Sequence, residues 1–511
     1  MEGAAEPAPG SVLAALRPAF AVAGGRGSRT LRRVWLDTFD WRLHRAGLVL
    51  EQVSGRGHSE MMLTGQDGER IAVQHGRATW PGLPDALPPG PVRDRLGPVA
   101  GVRALSPVVG AVSVVRDLRV LNGDEKTVVH VTMNRVSVTT PVTAMLPPRL
   151  VVTAIRGYQA QADRVAKMLA GIPGVLPSPR SEFEAALAAS GRQAGDYTSK
   201  IDVQLAASMP AANAVATVLL RLLDTLEANV SGVLRDVDTE FLHDLRVSVR
   251  RTRSALKLAG DVLPADVADR FRPAFKWLGD LTTPVRDLDV YLLGFDDMAA
   301  SLVAAAPDEL RPFRAYLARQ RGVEYRRLVR ELRSARFRGL VEDWRTVLIR
   351  LRDARRARAA PCAAELASVW IRRAHRRVIR LGSEITADSP PESLHDLRKR
   401  CKELRYLIEF FASLHDPAAN RQAVQELRRL QDCLGEFQDS EVQLDAVRAL
   451  AVQMMSEQAA SALTLLAMGE LAAQFGASQR RARGEFDERF REFSSLRGTR
   501  RISRLTMAVA A

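Results

Sequence analysis

Cysteine is scarce in this chain: Cys362, Cys401 and Cys433 are an odd trio with no Cys-x-x-Cys or metal-ligand spacing. That excludes a disulfide framework or a structural zinc centre as the organising device. The three are expected as reduced core thiols of a cytoplasmic protein. Aromatic residues make up only 5% and few stand beside basic ones, which argues against a stacking platform for single-stranded nucleic acid. There is no run of about 18 apolar residues, so no membrane-spanning helix is expected. Early acids at Glu2 and Glu6, with no basic-then-apolar opening, argue against a secretory signal. Gly24-Gly25-Arg26-Gly27 lacks the Lys-Ser/Thr ending of a phosphate loop and reads as a flexible loop. Negative charge is also in short supply: 59 Asp and Glu stand against 74 Lys and Arg, a net charge of +15. That surplus suits a polyanion such as nucleic acid, polyphosphate or an anionic membrane surface.

What the chain does contain is one stretch written twice. Residues 243–257 read HDLRVSVRRTRSALK and residues 395–409 read HDLRKRCKELRYLIE, an offset of 395 − 243 = 152. The same offset carries Leu278-Gly279-Asp280 onto Leu430-Gln431-Asp432, Asp287 onto Asp439 and Val290 onto Val442. Several landmarks sharing one long spacing point to an internal duplication.

Each copy reads as an amphipathic helix. At about 100° per residue, His243, Arg246, Arg250, Arg253 and Lys257 fall in one sector, and Leu245, Val249, Thr252 and Leu256 form the neighbouring stripe. In the second copy His395, Arg398, Lys402 and Arg405 share the cationic stripe, and Leu397, Cys401, Leu404 and Ile408 the apolar one. A solvated helix face usually interleaves acids with bases. Here, apart from the Asp after each His, the only carboxylates are Glu403 and Glu409, so an external anion is the expected counter-charge. The plain alternative is a solvated basic face.

His243 and His395 admit three readings: a hydrogen-bond donor to phosphate, a structural ring bonded to a backbone carbonyl, or a catalytic group. No Ser or Cys nucleophile accompanies both, and two separated histidines are too few for a metal site. Asp244 and Asp396 are expected near the helix N-terminal dipole. Asp287 and Asp439 are expected to hold a neighbouring Arg or cap a helix, with a metal role as the lesser alternative. Lys276 and Arg428 match by offset and either widen the basic surface or are solvated decoration. Trp277, Trp344 and Trp370 are expected in the core.

His-Asp-x-Arg with basic residues at +3, +7 and +10, present twice and followed by LGDLTTPVRDLDV or LQDCLGEFQDSEV, resembles the CHAD domain, the conserved-histidine α-helical domain. The resemblance spans roughly residues 205–500. It implies two helical bundles related by a pseudo-twofold axis and an association with inorganic polyphosphate.

Before it, from about Thr30 to Ile155, come short Val-rich runs with strand-like alternation, including LVLEQV, RIAVQ, KTVVHVTMNRVSVTT and RLVVTAI. Asn122-Gly123-Asp124 between two of them reads as a hairpin turn. WLDTFDWRLHRAGLVL, Trp35 to Leu50, is similar to part of the CYTH domain, the triphosphate-tunnel fold, whose barrel binds triphosphate and metal. This chain departs from that pattern where the chemistry would lie. Residues 8–34 contain no acid, Glu51-Gln52-Val53 stands where tunnel-facing Arg is expected, and Met61 to Glu69 lacks a Lys. Without first-strand carboxylates the ligands for Mg²⁺ are missing.

The expected fold is therefore α+β multidomain: a flexible segment 1–30, an antiparallel, barrel-like, degenerate CYTH-type β domain over 31–180, and a connecting helix and linker over 181–204. An all-α CHAD domain follows, with halves at 205–358 and 359–500, and then a tail at 501–511. Long surface helices and a basic connector, Arg352 to Arg358, are expected between the halves. The expected function is polyphosphate binding through His243, Arg246, Arg250, Arg253, Lys257, His395, Arg398, Lys402 and Arg405, with Lys276 and Arg428 as additional basic contacts. No catalytic residue, resident metal or cofactor is expected, and the protein is placed in the cytoplasm, with association with polyphosphate granules. Two alternatives remain: a CYTH-type triphosphatase or polyphosphatase using Mg²⁺ or Mn²⁺, and nucleic-acid binding. The sequence leaves protein partners open.

Overall fold

The computed structural model describes residues 1–3, 8–24, 27–354 and 361–507. Glu6, Gly25, Arg26, most of the expected basic connector (Arg355, Arg356 and Arg358) and the last four residues of the tail lie outside the described residues. The chain divides into two compact units, residues 1–199 and 200–511. No described helix is long and apolar enough to cross a membrane.

The first unit is an antiparallel sheet. Its strands are β1 (Glu2–Gly3), β2 (Ala21–Gly24), β3 (Arg29–Thr38), β4 (Leu48–Gly55), β5 (His58–Gly65), β6 (Arg70–His75), β7 (Leu105–Leu121), β8 (Thr127–Thr140), β9 (Ala144–Met145), β10 (Arg149–Ala154) and β11 (Val175–Leu176). They run in the order β11-β1-β10-β8-β7-β3-β4-β5-β6, with β2 on β7 and β9 on β8. The turn at Asn122 joins β7 to β8, its side-chain oxygen accepting from the amides of Asp124 (3.1 Å) and Lys126 (2.9 Å).

Among the described residues, five helices accompany the sheet: α1 (Pro9–Leu16), α2 (Arg42–Arg45), α3 (Pro91–Ala100), α4 (Gln159–Ala170) and α5 (Glu182–Ala189). The opening segment, expected to be flexible apart from a short helix, contributes real structure. Val12 and Leu16 of α1 are fully buried with Val165 and Leu169 of α4 against Leu118, Val129 and Val131. The sequence pattern hid this because β2 owes its place to pairing with the distant β7. The helix expected to connect the domains is α5. It starts at a Ser181–Glu184 capping box and buries Phe183, Ala186 and Leu187 against Trp35, Trp41 and Val109, inside the sheet unit's core.

The second unit is all helical: α6 (Ala211–Leu234), α7 (Thr239–Leu258), α8 (Ala265–Leu293), α9 (Phe295–Ala300), α10 (Arg311–Leu332), α11 (Ala335–Asp353), α12 (Ala363–Ser383), α13 (Pro391–Phe410), α14 (Pro417–Ser456), α15 (Ala462–Ser494) and α16 (Leu496–Met507). The duplication reappears as geometry. The starts of α6, α7 and α8, at residues 211, 239 and 265, recur 152 residues later as the starts of α12, α13 and α14, at 363, 391 and 417.

The halves meet about a local twofold. Ala211 N–H donates to Pro361 O at 3.0 Å, and Ala363 N–H to Met209 O at 2.7 Å, the same bond with partners exchanged. Tyr291 Oη donates to the carbonyl of its own counterpart, Gln443, at 3.2 Å. Beneath that contact one apolar cluster spans both halves: Tyr291, Phe313 and Leu317 with Val447, Met468 and Leu471.

Trp344 and Trp370 are core residues, whereas Trp277 is half-buried with the Arg336 guanidinium 4.0 Å above its ring. The helices between the halves bury a face each, Phe313, Tyr316 and Leu328 on α10 and Phe337, Trp344 and Leu348 on α11. The basic tail is an amphipathic helix, α16, with Ile502 and Leu505 buried and Arg501 paired to Glu426.

α6 approaches α7 closely at Gly232, where a Cβ would overlap the Phe241 ring. Gly232→Ala should destabilise the helical unit, since overpacking at about 1–3 kcal/mol outweighs a helix-propensity gain of at most about 1. Urea unfolding followed by helical circular dichroism measures the difference.

Candidate functional site

The duplicated helices place their cations from both sides of the local twofold. α7 starts with Asp238 as N-cap, its carboxylate accepting from the amides of Glu240 (2.9 Å) and Phe241 (3.2 Å). α13 starts after Pro390, with Pro391 in its first turn. Both begin four residues before their His, so Asp244 and Asp396 lie beyond the first turn and do not serve its dipole. Asp244 is buried, while Asp396 is exposed and pairs with Lys399 at 3.2 Å. The apolar stripes are buried as the spacing predicts: Leu245, Val249, Thr252 and Leu256 on α7, and Leu397, Cys401, Leu404 and Ile408 on α13. With those stripes packed inward, the cationic stripes are only partly covered.

Arg250 and Lys402 are counterparts in the repeat, and they repel each other across the axis. The Lys402 ammonium is pushed down to about 7 from 10.5, first by burial and then by the charges of Arg398 and Arg250, with Asp439 offsetting part of this. Arg250 Nε donates to Tyr406 Oη at 2.7 Å, which fixes the guanidinium of α7 on a residue of α13. The Tyr406 ring also lies 5.7 Å from the guanidinium carbons of Arg251 and Arg405.

The acids of α8 and α14 repeat as well. Asp287 lies 3.9 Å from the Arg246 guanidinium, and Asp439 accepts from its counterpart Arg398 at 3.0 Å. Asp287 is raised above the usual carboxylate range by burial, with the negative charge of Asp439 adding to the rise against Arg246 and Arg286. Asp287 and Asp439 thus sense each other as Arg250 and Lys402 do. Arg246 is lowered, first by burial, with Asp287 opposing and Arg250, Arg286 and Arg253 repelling it. Arg246 also bonds Thr283 Oγ1. Gly279 leaves room for Arg253, whose guanidinium would come within 2.8 Å of a Cβ there.

Other cations of the two helices are balanced internally, two of them across the halves. Lys257 donates to Glu403 at 2.8 Å, Arg251 to Glu409 at 2.5 Å, and Arg405 Nε lies 3.8 Å from Glu409. The two carboxylates noted in the second copy therefore neutralise cations of both helices. His395 Nδ1 meets Gln438 Oε1, while His243 is half-buried on α7. Lys276 forms an exposed i,i+4 pair with Asp280 at 2.6 Å. Arg428 lines a cavity of about 530 Å³ with Lys200, Arg251, Glu409 and Arg421. Sequence reading missed Tyr406, Arg286, Lys200 and Arg421. Only Tyr406 had a signal, a polar-tipped aromatic within a basic helix.

In the sheet unit, Arg33 of β3 is enclosed by Glu51 of β4 and Glu182 of α5, and Asn134 of β8 also bonds Glu182. Burial opposes the Arg33 charge, but the two carboxylates outweigh it and raise its pKa. Arg33, Glu51 and Glu182 border a cavity of about 430 Å³ that is also lined by Trp35, His44 and Arg180.

Lys402 should titrate near pH 7 when lysine Nζ signals are followed by NMR, and Arg250→Met should move it upward by removing a repelling charge. Because the unfolded chain binds this proton up to about pH 10.5, Lys402 adds stability as pH rises from about 7 toward 10.5 and none below that window. Loss of that pH-dependent increment in Lys402→Met checks the sign.

Residues 217–448 match the family model of the CHAD domain. Among solved structures, the crystal structure of the CHAD domain from the plant Ricinus communis is 24% identical, covering 57% of this chain and 96% of that one, with a TM-score of 0.49. PptA from Streptomyces chartreusis is 18% identical over 55% of this chain and 99% of that one, with a TM-score of 0.43. No curated protein matches the chain. The antiparallel sheet of the first unit is compatible with a CYTH-like fold. The family match, falling on the duplicated helices and their shared axis, identifies residues 217–448 of this chain as a CHAD domain.

Proposed function

We propose that the helical unit binds inorganic polyphosphate along the ridge formed by α7 and α13. The observation that carries this reading is the apposition of Arg250 and Lys402, like charges held together with Lys402 pushed down to about 7. CHAD domains are linked to polyphosphate binding, and a linear anion with about one charge per phosphate meets several such cations at once. Arg246, Arg250, Arg253, Arg398 and Arg405 offer planar forks for phosphate oxygens, and Lys402 and Lys257 act as point charges. His243 and His395 take the role of hydrogen-bond donors, and Arg428 extends the surface toward Lys200 and Arg421. Lys276 is bound to Asp280. By the same reading the protein works in the cytoplasm, associated with polyphosphate granules.

The enzyme alternative draws on the cavity of the sheet unit. There Arg33 is already matched by Glu51 and Glu182, which leaves little positive charge for a triphosphate. Phosphate release from triphosphate or polyphosphate with added Mg²⁺ or Mn²⁺ separates the two readings. The nucleic-acid alternative rests on net charge alone, and short duplex DNA or RNA at equal charge concentration tests it by competition.

Arg250→Glu combined with Lys402→Glu should weaken binding of defined-length polyphosphate by about tenfold or more, a loss of about 1.4 kcal/mol. The variant should also flatten the salt dependence, because fewer counterions are released on binding. Titration calorimetry at two salt concentrations measures both, and unchanged affinity retires the assignment. A bound polyanion favours charged Lys402, so wild-type affinity should rise as pH falls from about 8.5 toward 7, and Lys402→Gln should abolish that dependence.

A further inference from the structure

The sheet unit carries a second cluster that the polyphosphate reading does not use. His58 and Glu60 are two residues apart on β5 and so face the same side of the sheet. His75 of β6 lies directly opposite Glu60 in the antiparallel register. Backbone geometry thus brings three ligand-bearing side chains onto one face, although His75 is 15 residues beyond Glu60 in sequence. Oε2 of Glu60 lies 3.3 Å from His58 Nε2 and 4.0 Å from His75 Nδ1. All three ligand atoms fall within 4.8 Å of one another. Donors bound at about 2.0–2.1 Å around a tetrahedral ion sit about 3.3 Å apart. One edge of such a polyhedron is therefore already formed, and a small rotation of the exposed His75 ring closes the others.

We propose that His58, Glu60 and His75 bind a divalent transition-metal ion, with zinc as the best-fitting example. Two imidazoles and a carboxylate form a donor set for ions of borderline softness, whereas Mg²⁺ and Ca²⁺ prefer oxygen ligands throughout. Electrostatics sharpens this choice. His58 also lines a cavity with Arg32, Arg56 and Arg77, whose charges oppose any dication. At an exposed site, salt screens that repulsion within about 8–10 Å. Affinity then depends on direct imidazole–metal bonds, which alkaline-earth ions form poorly. Three protein donors leave a fourth position for water or an anion.

The test uses the full chain, freed of metal by chelation, titrated with Zn²⁺ alone in a calorimeter and with Co²⁺ followed by its visible absorption. One equivalent of Zn²⁺ should bind, Mg²⁺ should not compete, and Co²⁺ should give the spectrum of a low-coordinate site. His58→Ala combined with His75→Ala should lose that equivalent, and Glu60→Gln should weaken it by about tenfold or more, about 1.4 kcal/mol. Retention of the equivalent at unchanged affinity in the double variant overturns the proposal, as does the absence of zinc binding by the unaltered chain. If the double variant fails to fold, hydrogen exchange on the unaltered chain decides. Zinc-dependent slowing confined to residues 58–75 supports the site, and slowing elsewhere or nowhere overturns it.

Discussion

Two like charges, Arg250 and Lys402, are held across the twofold relation between the halves because the apolar stripes beneath them are buried. Leu245, Val249 and Leu256 on one helix, and Leu397, Leu404 and Ile408 on the other, are each almost fully enclosed. Each such side chain contributes roughly 1.5–3 kcal/mol on burial, enough together to outweigh one lysine kept near neutrality. Packing and charge thus conflict within the same two helices. Packing prevails, and the cost appears as the lowered Lys402.

The surrounding charges find two kinds of partner. Between the helices, Glu403 and Glu409 of α13 neutralise Lys257 and Arg251 of α7, and Glu409 also lies near Arg405. Asp287 and Asp439 pair within their own halves, with Arg246 and Arg398, and their like charges repel each other. Arg250 and Lys402, one from each half, bring like charges together where the two helices meet. A single helix with the same sequence would display its basic stripe to solvent without this concentration of charge.

The sheet unit handles its charges differently. Its enclosed Arg33 is satisfied by Glu51 within the sheet and by Glu182 from a helix that packs over the same core. A buried guanidinium with two carboxylates is a structural solution, since leaving it unpaired would be strongly unfavourable. The departures from the CYTH pattern agree with this. Glu51 stands where a tunnel-facing Arg was expected, and its partner is a cation of the neighbouring strand.

The duplication, the phase of both stripes and the division into sheet and helical regions were legible in the sequence, because each depends on periodicity or repetition along the chain. The buried fate of Cys401 and Thr252 followed from phase alone. Tertiary structure decided everything that depends on which distant residues meet. Tyr406 became the anchor for Arg250 only once α7 lay against α13, and Glu403 neutralised Lys257 for the same reason. Likewise α5 proved part of the sheet core, and His75 came opposite Glu60. Local pattern specifies which face of an element is apolar, but not which partner covers it, because side-chain charge and shape are matched only across elements already packed together.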